Sequence, residues 1–279
     1  MPGEAPNERR IKLYRRGAVT LTALLPTFTD MGLEVTDERP YELTPSDGSP
    51  VFIYDFGLRA RSEKAWSNSQ DGMRQRFQET LQAVWGGLAE SDGFNALVLS
   101  AGLTWRQVVM LRTVAKYQRQ AGTPFTQTYI TSTLRENPHI ACLLVELFET
   151  RFDPERFDGV AGPERAAAEE DVTARILAAL DEVASLDHDR IVRAFLGVIL
   201  GTLRTNFFQD PPPDEHGHTP EFTRTVCFKI DPHAVPGLPA PLPMFEIWVY
   251  SPRVEGVHLR FGKVARGGLR WSDRMEDFR

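Results

Sequence analysis

The apolar positions of the first third of the chain follow two periods in turn. Ile11 and Leu13 alternate with charged residues in Arg10 to Arg16 (RIKLYRR), which predicts a half-buried strand. From Thr20 to Met31 the spacing becomes helical, with Leu21, Leu24, Leu25 and Phe28 on one face and Gly32 placed as a C-cap. Leu33 to Leu43 is extended again, and Pro40 confines it to a sheet edge or marks a break. Pro45, Asp47 and Gly48 make a turn before a third strand, Val51 to Phe56. From Met73 the helical period returns, with Phe77, Leu81, Val84, Trp85 and Leu88 in one stripe. Thr104 and Gln107 spell a capping box that opens a helix through Val108, Leu111 and Ala115. Asn137-Pro138 sets proline at a first helical position, ahead of a face made by Ile140, Leu144, Leu147 and Phe148. Glu164 to Val183 and Leu186 to Phe208 predict two more helices, and the aromatic residues on these stripes read as core.

Asp210 to Thr219 (DPPPDEHGHT) is the clearest linker, because three prolines cannot continue a helix. His216 and His218 within it, beside Asp214 and Glu215, read as solvated loop residues and not as a metal site. Val226, Phe228 and Ile230 then alternate as a strand. PGLPAPLP is a rigid connector, and Glu246 to Tyr250 and Val257 to Phe261 are two further strands. Immediately after them Gly267 and Gly268 stand between Arg266 and Arg270. Adjacent glycines let backbone N–H groups approach a ligand, and two guanidinium forks suit a carboxylate or a phosphate. Ser272, Asp273 and Glu276 form a helix-start signature, and Arg274 and Arg279 read as surface or ion-pair residues. The sequence opens a binding turn and a helix and then stops, which leads us to expect a piece of a longer protein.

Composition narrows the classes. A hydrophobic fraction of 42% and a charged fraction of 25% are those of a globular protein. The net charge of −6, without a long like-charge block, argues against a nucleic-acid partner. Arg9, Arg10, Arg15 and Arg16 are the nearest approach to a basic cluster and read as a solvated strand with its flank. No apolar run reaches the roughly 18 residues of a membrane span, and the first ten residues are polar, so neither a membrane nor secretion is expected. Cys142 and Cys227 are isolated, which points to structural thiols in a reducing cytosol. Nucleotide and hydrolase signatures (G-x-G-x-x-G, the P-loop, H-E-x-x-H, G-x-S-x-G) do not occur, so the Gly-Gly turn is the one strong candidate site.

The order strand, helix, strand, strand at the N-terminus resembles the start of an ACT-like module, a small fold that often binds amino acids as regulators. The run Tyr250 to Arg279 (YSPRVEGVHLRFGKVARGGLRWSDRMEDFR) resembles the entry to the catalytic domain of the large-subunit bacterial NAD-specific glutamate dehydrogenases. RFQETLQAVWGGLAESDGFNALVLSAGLTWRQVVMLRTVAKYQRQ, LVELFETRFDP, DRIVRAFLGVILGTLRTNFFQ and PMFEIWVYSPR fit the same family. The likeness runs from about Ile11 to the end and is weakest in Asp158 to Glu170 and in the proline-rich linker.

This resemblance implies an α+β chain: an ACT-like regulatory module over residues 1–69, a central helical bundle over 70–210, and over 211–279 the first strands of a catalytic domain as a partial β-sheet. It implies an enzyme that oxidises L-glutamate to 2-oxoglutarate and ammonium and passes hydride to NAD, cytoplasmic and homo-oligomeric at full length. In smaller glutamate dehydrogenases the matching turn reads K-G-G-[IM]-R, and its lysine and backbone help hold the substrate carboxylate. Carried over, Arg266 takes the lysine position, Gly267 and Gly268 stand beside it, and Arg270 is the motif arginine. Arginine keeps the charge but changes reach and geometry. The family's catalytic lysine and aspartate, its second substrate lysine and its NAD-binding domain are expected beyond Arg279, so this stretch alone should not turn over glutamate and holds no catalytic residue or metal ligand. The alternative is a non-catalytic regulatory or assembly module that binds amino-acid effectors through its first α/β unit and partners through its helices.

Overall fold

The computed structural model describes residues 5, 7–45, 48, 50–61, 72–157, 162–209 and 225–262, and the backbone of 269–270. The chain forms two compact units, Met1–Val108 and Val109–Arg279.

The first unit is built on a three-stranded antiparallel sheet of order β1-β3-β2, from β1 (Glu8–Arg15), β2 (Leu33–Leu43) and β3 (Val51–Ala60). The crossover from β1 to β2 runs through α1 (Leu21–Asp30), and β3 fills the gap between them. Gly32 takes φ +78 just past the helix, and its N–H donates to the carbonyl of Thr29, as a C-terminal glycine should. Leu24, Phe28 and Met31 pack on Tyr54, Phe56 and Leu58, with the Phe28 and Phe56 rings 5.2 Å apart. Each such ring contributes about 1.5–3 kcal/mol by leaving water. The same core takes Met73, Phe77 and Leu81 from α2 (Met73–Trp85), so the apolar stripe read from the sequence covers this sheet.

Strand β2 lies at the sheet edge and passes through Pro40, as its proline predicts. Its register shifts between Val35 and Asp37, which leaves Thr36 without a partner on β3. A one-residue slip exchanges the faces of a strand. The bulge therefore keeps Val35 on the core face, opposite Leu58, and sends Asp37 to the other face, opposite Gly57.

The capping box at the start of α4 (Trp105–Gln120) is formed in full: Gln107 N donates to Thr104 Oγ1, and Thr104 N donates to Gln107 Oε1. Several elements were not read from the sequence. Asp92 caps a single 3-10 turn leading into α3 (Leu97–Ser100), and Thr126 caps α5 (Gln127–Glu136) by accepting from Tyr129 N.

In the second unit α6 (Pro138–Phe152) opens at Pro138 and packs against α5, α7 (Pro163–Leu180) and α8 (Leu186–Gly201). The helix expected to reach Phe208 ends at Gly201, and β4 (Thr202–Thr205) begins at the next residue. Tertiary pairing overrides the helical period here. Thr202 and Thr205 pair with Ile230 and Phe228 of β5 (Val226–Ile230), and a side chain at 201 would meet Val235 Cγ2 at 2.6 Å. Sheet two continues through β6 (Phe245–Tyr250), β7 (Glu255–Arg260) and β8 (Leu269–Arg270), antiparallel throughout. Phe207 and Phe208, no longer helical, close an aromatic cluster on Phe148 with Phe228 and Phe152.

Candidate functional site

Of the four residues proposed from the sequence, Arg266, Gly267 and Gly268 lie outside the described residues, as do Ser272, Asp273 and Glu276. Arg270 is described in its backbone: it is the second residue of β8, paired with Val257 of β7, while Leu269 pairs with His258. A register row therefore crosses the sheet from Thr205 through Phe228, Trp248 and Val257 to Arg270. At the usual strand spacing the Arg270 backbone stands about 10 Å from that of Trp248, two strands away.

What holds this sheet in place is partly polar. Trp248 Nε1 donates to the backbone carbonyl of Thr113 at 3.0 Å, and the Tyr117 hydroxyl donates to Glu246 Oε2 at 2.8 Å. The Tyr117 and Trp248 rings also meet edge-on at 5.9 Å. One strand further on, Lys116 Nζ lies 3.3 Å from a carboxylate oxygen of Glu255. Glu246 is 2% exposed and Trp248 is fully buried. Buried polar groups of this kind are costly without partners, so each contact fixes a geometry as well as removing a penalty. Sequence reading passed over Tyr117 and Glu246. The available signal was the phase of EIWVY: Glu246 shares its strand face with Trp248 and Tyr250, which puts an acid where the alternation calls for an apolar residue.

A second constellation covers the far face of the three-stranded sheet. Arg10 Nη1 and Nη2 each donate to a different oxygen of Asp37 at 2.9 Å, and Arg10 Nε donates to Asp55 at 3.0 Å. Arg59 pairs with Glu8 at 2.9 Å and with Glu34 at 3.5 Å. Hydrogen bonding by Arg10, and then its charge, holds the Asp37 carboxyl below the ordinary carboxylate range. The reading of Arg10 as a solvated charge is corrected by these contacts: the β2 bulge places a carboxylate within its reach, which the charge pattern of β1 alone could not show. Arg10 and Asp55 form part of a cross-strand lattice in which acids and bases alternate, so this face is balanced and not basic.

The cysteines carry no reactive signature. Cys142 and Cys227 are half-buried and not joined in a disulfide, and burial pushes both thiols up, with Glu146 adding to the effect at Cys142. Among the described residues, no three His, Cys, Asp or Glu side chains come together as a metal ligand set. His216 and His218 lie outside the described residues. Among the described residues, no helix is long and apolar enough to cross a membrane.

A dinucleotide does not fit what is described. Such cofactors bind outside the carboxyl ends of parallel strands, with the phosphates at a glycine-rich strand-to-helix turn. Every strand pair among the described residues is antiparallel, and no turn of that kind occurs among them.

Comparison with known proteins accounts for most of the chain. Residues 1–70 match the glutamate dehydrogenase ACT3 domain, residues 89–154 match glutamate dehydrogenase helical motif 3, and residues 175–279 match the bacterial NAD-glutamate dehydrogenase catalytic domain. The NAD-specific glutamate dehydrogenase of Halomonas elongata is 46% identical over 270 residues, which is 96% of this chain and 16% of that protein. Its counterpart from Mycobacterium tuberculosis is 44% identical over 263 residues, 93% of this chain and 16% of the relative. The Pseudomonas aeruginosa protein of the same name is 44% identical over 273 residues, again 16% of its own length. The chain therefore spans about a sixth of the length of these relatives.

Proposed function

Because the chain belongs to the bacterial NAD-specific glutamate dehydrogenases as one segment of their length, we propose that it works within an enzyme that oxidises L-glutamate to 2-oxoglutarate and ammonium with NAD as hydride acceptor. The observation that carries this reading is identity of 44–46% across at least 93% of the chain. Within that enzyme residues 1–69 act as an ACT-like regulatory module, 70–210 as a helical region, and 211–279 as the opening strands and substrate turn of the catalytic domain. The enzyme is cytoplasmic and homo-oligomeric, and NAD is held by residues outside this chain.

The substrate-carboxylate wall is Arg266, Gly267, Gly268 and Arg270. Two guanidinium groups flanking bare backbone can donate several charge-assisted hydrogen bonds to one carboxylate. The carboxylate so held is fixed in orientation, which is what hydride transfer to a separate cofactor requires of the substrate. The position of Arg270 on β8, at the edge of the second sheet among the described residues, supports this reading, since its backbone there is not covered by a further described strand. The test is direct: purify the whole protein that contains this chain and follow NADH formation with L-glutamate, and NADH loss with 2-oxoglutarate and ammonium. Turnover in both directions is expected, and no turnover in either direction overturns the assignment.

The match of residues 1–70 to an ACT3 domain favours an added regulatory role with an amino acid as effector. Calorimetric titration of the 279-residue chain with the common amino acids tests it. Heat with one or a few of them is expected, and no heat with any leaves the module a packing role.

A further inference from the structure

We infer that Tyr117 is a positioning residue for the substrate-carboxylate end of the second sheet, acting through Glu246; this rests on the assignment of Arg270 to that site. Tyr117 and Thr113 lie one turn apart on α4 and meet β6 at two points, Glu246 and Trp248, through two directional hydrogen bonds. Lys116, between them in sequence, reaches Glu255 on β7. β6 and β7 pair continuously from Phe245–Arg260 to Tyr250–Glu255, and β7 in turn carries β8, with Arg270 opposite Val257. Fixing β6 on α4 thus fixes the strand two places away that bears Arg270.

Apolar burial alone does not specify this register so sharply. The face that carries Glu246 also carries Trp248 and Tyr250, large rings that could repack after a small slide. A buried carboxylate cannot slide, because a one-residue slip moves it to the opposite face and strips it of the Tyr117 hydroxyl. A pair that served stability alone could be replaced by apolar side chains of similar volume without loss. A pair that serves position could not.

The experiment uses the whole protein, with steady-state constants for L-glutamate and NAD. Tyr117→Phe is expected to raise KM for glutamate about tenfold or more, the range of one lost hydrogen bond to a charged group, with kcat within about threefold and KM for NAD unchanged. Glu246→Gln, which keeps an acceptor for the hydroxyl, is expected to stay within about twofold of the parent. The double variant Tyr117→Phe with Glu246→Leu is expected to regain thermal stability and keep the raised KM. Regain of both overturns the positioning role in favour of a structural one. Arg270→Gln is measured alongside. A parental glutamate KM in Tyr117→Phe while Arg270→Gln raises it overturns the positioning role alone, whereas a parental KM in Arg270→Gln overturns the site assignment and the role with it. If Tyr117→Phe does not fold, Trp248→Phe, which loses the donor to Thr113, carries the same expected rise, and an unchanged KM there overturns the role.

Discussion

Arg10 on β1 and Asp37 on β2 form a two-point ion pair across the bare backbone of Gly57, on the strand that separates them. Arg10, Gly57 and Asp37 share one register row, so the two side chains must pass over the middle strand to meet. A Cβ at 57 would stand 2.2 Å from Asp37 Oδ2 and 2.5 Å from Thr36 Oγ1. The pair needs a residue without a side chain beneath it.

Gly57→Ala is accordingly expected to destabilise the 279-residue chain by about 1 kcal/mol, read by urea denaturation. Alanine in a strand interior would otherwise gain about 0.5–1 kcal/mol over glycine. The loss should shrink in an Asp37→Ala background, where the obstructing carboxylate is gone. An equal loss in both backgrounds would show that Gly57 answers to something other than the pair.

The same pair sets a pH dependence. Asp37 titrates below its ordinary value because Arg10 donates hydrogen bonds to the carboxylate and lies close in charge. A depressed carboxylate stabilises the folded state fully above its unfolded pKa of about 4 and loses that contribution as pH falls through the lower folded value. The stability gap between the parent chain and Asp37→Asn should be constant above about pH 5 and close as pH falls past the unfolded value and through the lower folded one. Because the Asp37 side chain is 41% exposed, solvent screening holds the gap to at most about 1 kcal/mol, and added salt should narrow it. A gap that widens on acidification would contradict the assignment.

Phe148 touches Phe152, Phe207, Phe208 and Phe228 and is 1% exposed. It joins α6 to the residues that follow β4 and to β5. Phe148→Ala should cost about 3–5 kcal/mol, and Phe148→Leu, which keeps most of the volume, should cost less. A loss below about 1 kcal/mol, measured by urea denaturation of the chain, would mean that the cluster collapses freely around the gap.

The period of the apolar residues made much of this fold legible. The split strand-helix-strand of the first unit, the cap at Gly32, the capping box at Thr104 and the start at Pro138 all depend on neighbours in sequence, where propensity and capping chemistry operate. Features that depend on distant partners were not legible. The end of α8 at Gly201 is set by Val235 and by pairing with β5, and the aim of Asp37 is set by a bulge that appears only when β2 meets β3. At the candidate site, the Gly-Gly turn and its arginines were read from local pattern and resemblance. Tyr117 and Glu246 stand 129 residues apart, so no local spacing could join them, although the misplaced acid in EIWVY hinted that one was buried.

Expressed by itself, the 279-residue stretch is expected to give no glutamate-dependent NAD reduction, since hydride transfer needs a bound dinucleotide and the described residues offer no fold for one. The purified chain, assayed with NAD and L-glutamate, checks this. Any turnover above a boiled control would contradict it.

The glutamate KM of the whole protein with Arg266→Gln and with Arg270→Gln tests the carboxylate wall most directly. Each change removes a charged donor and leaves a shorter, neutral polar side chain, so each should raise KM for glutamate by about tenfold or more, the effect of about 1.5–3 kcal/mol for a hydrogen bond to a charged group, and leave KM for NAD alone. A parental KM for glutamate in either variant would contradict the account.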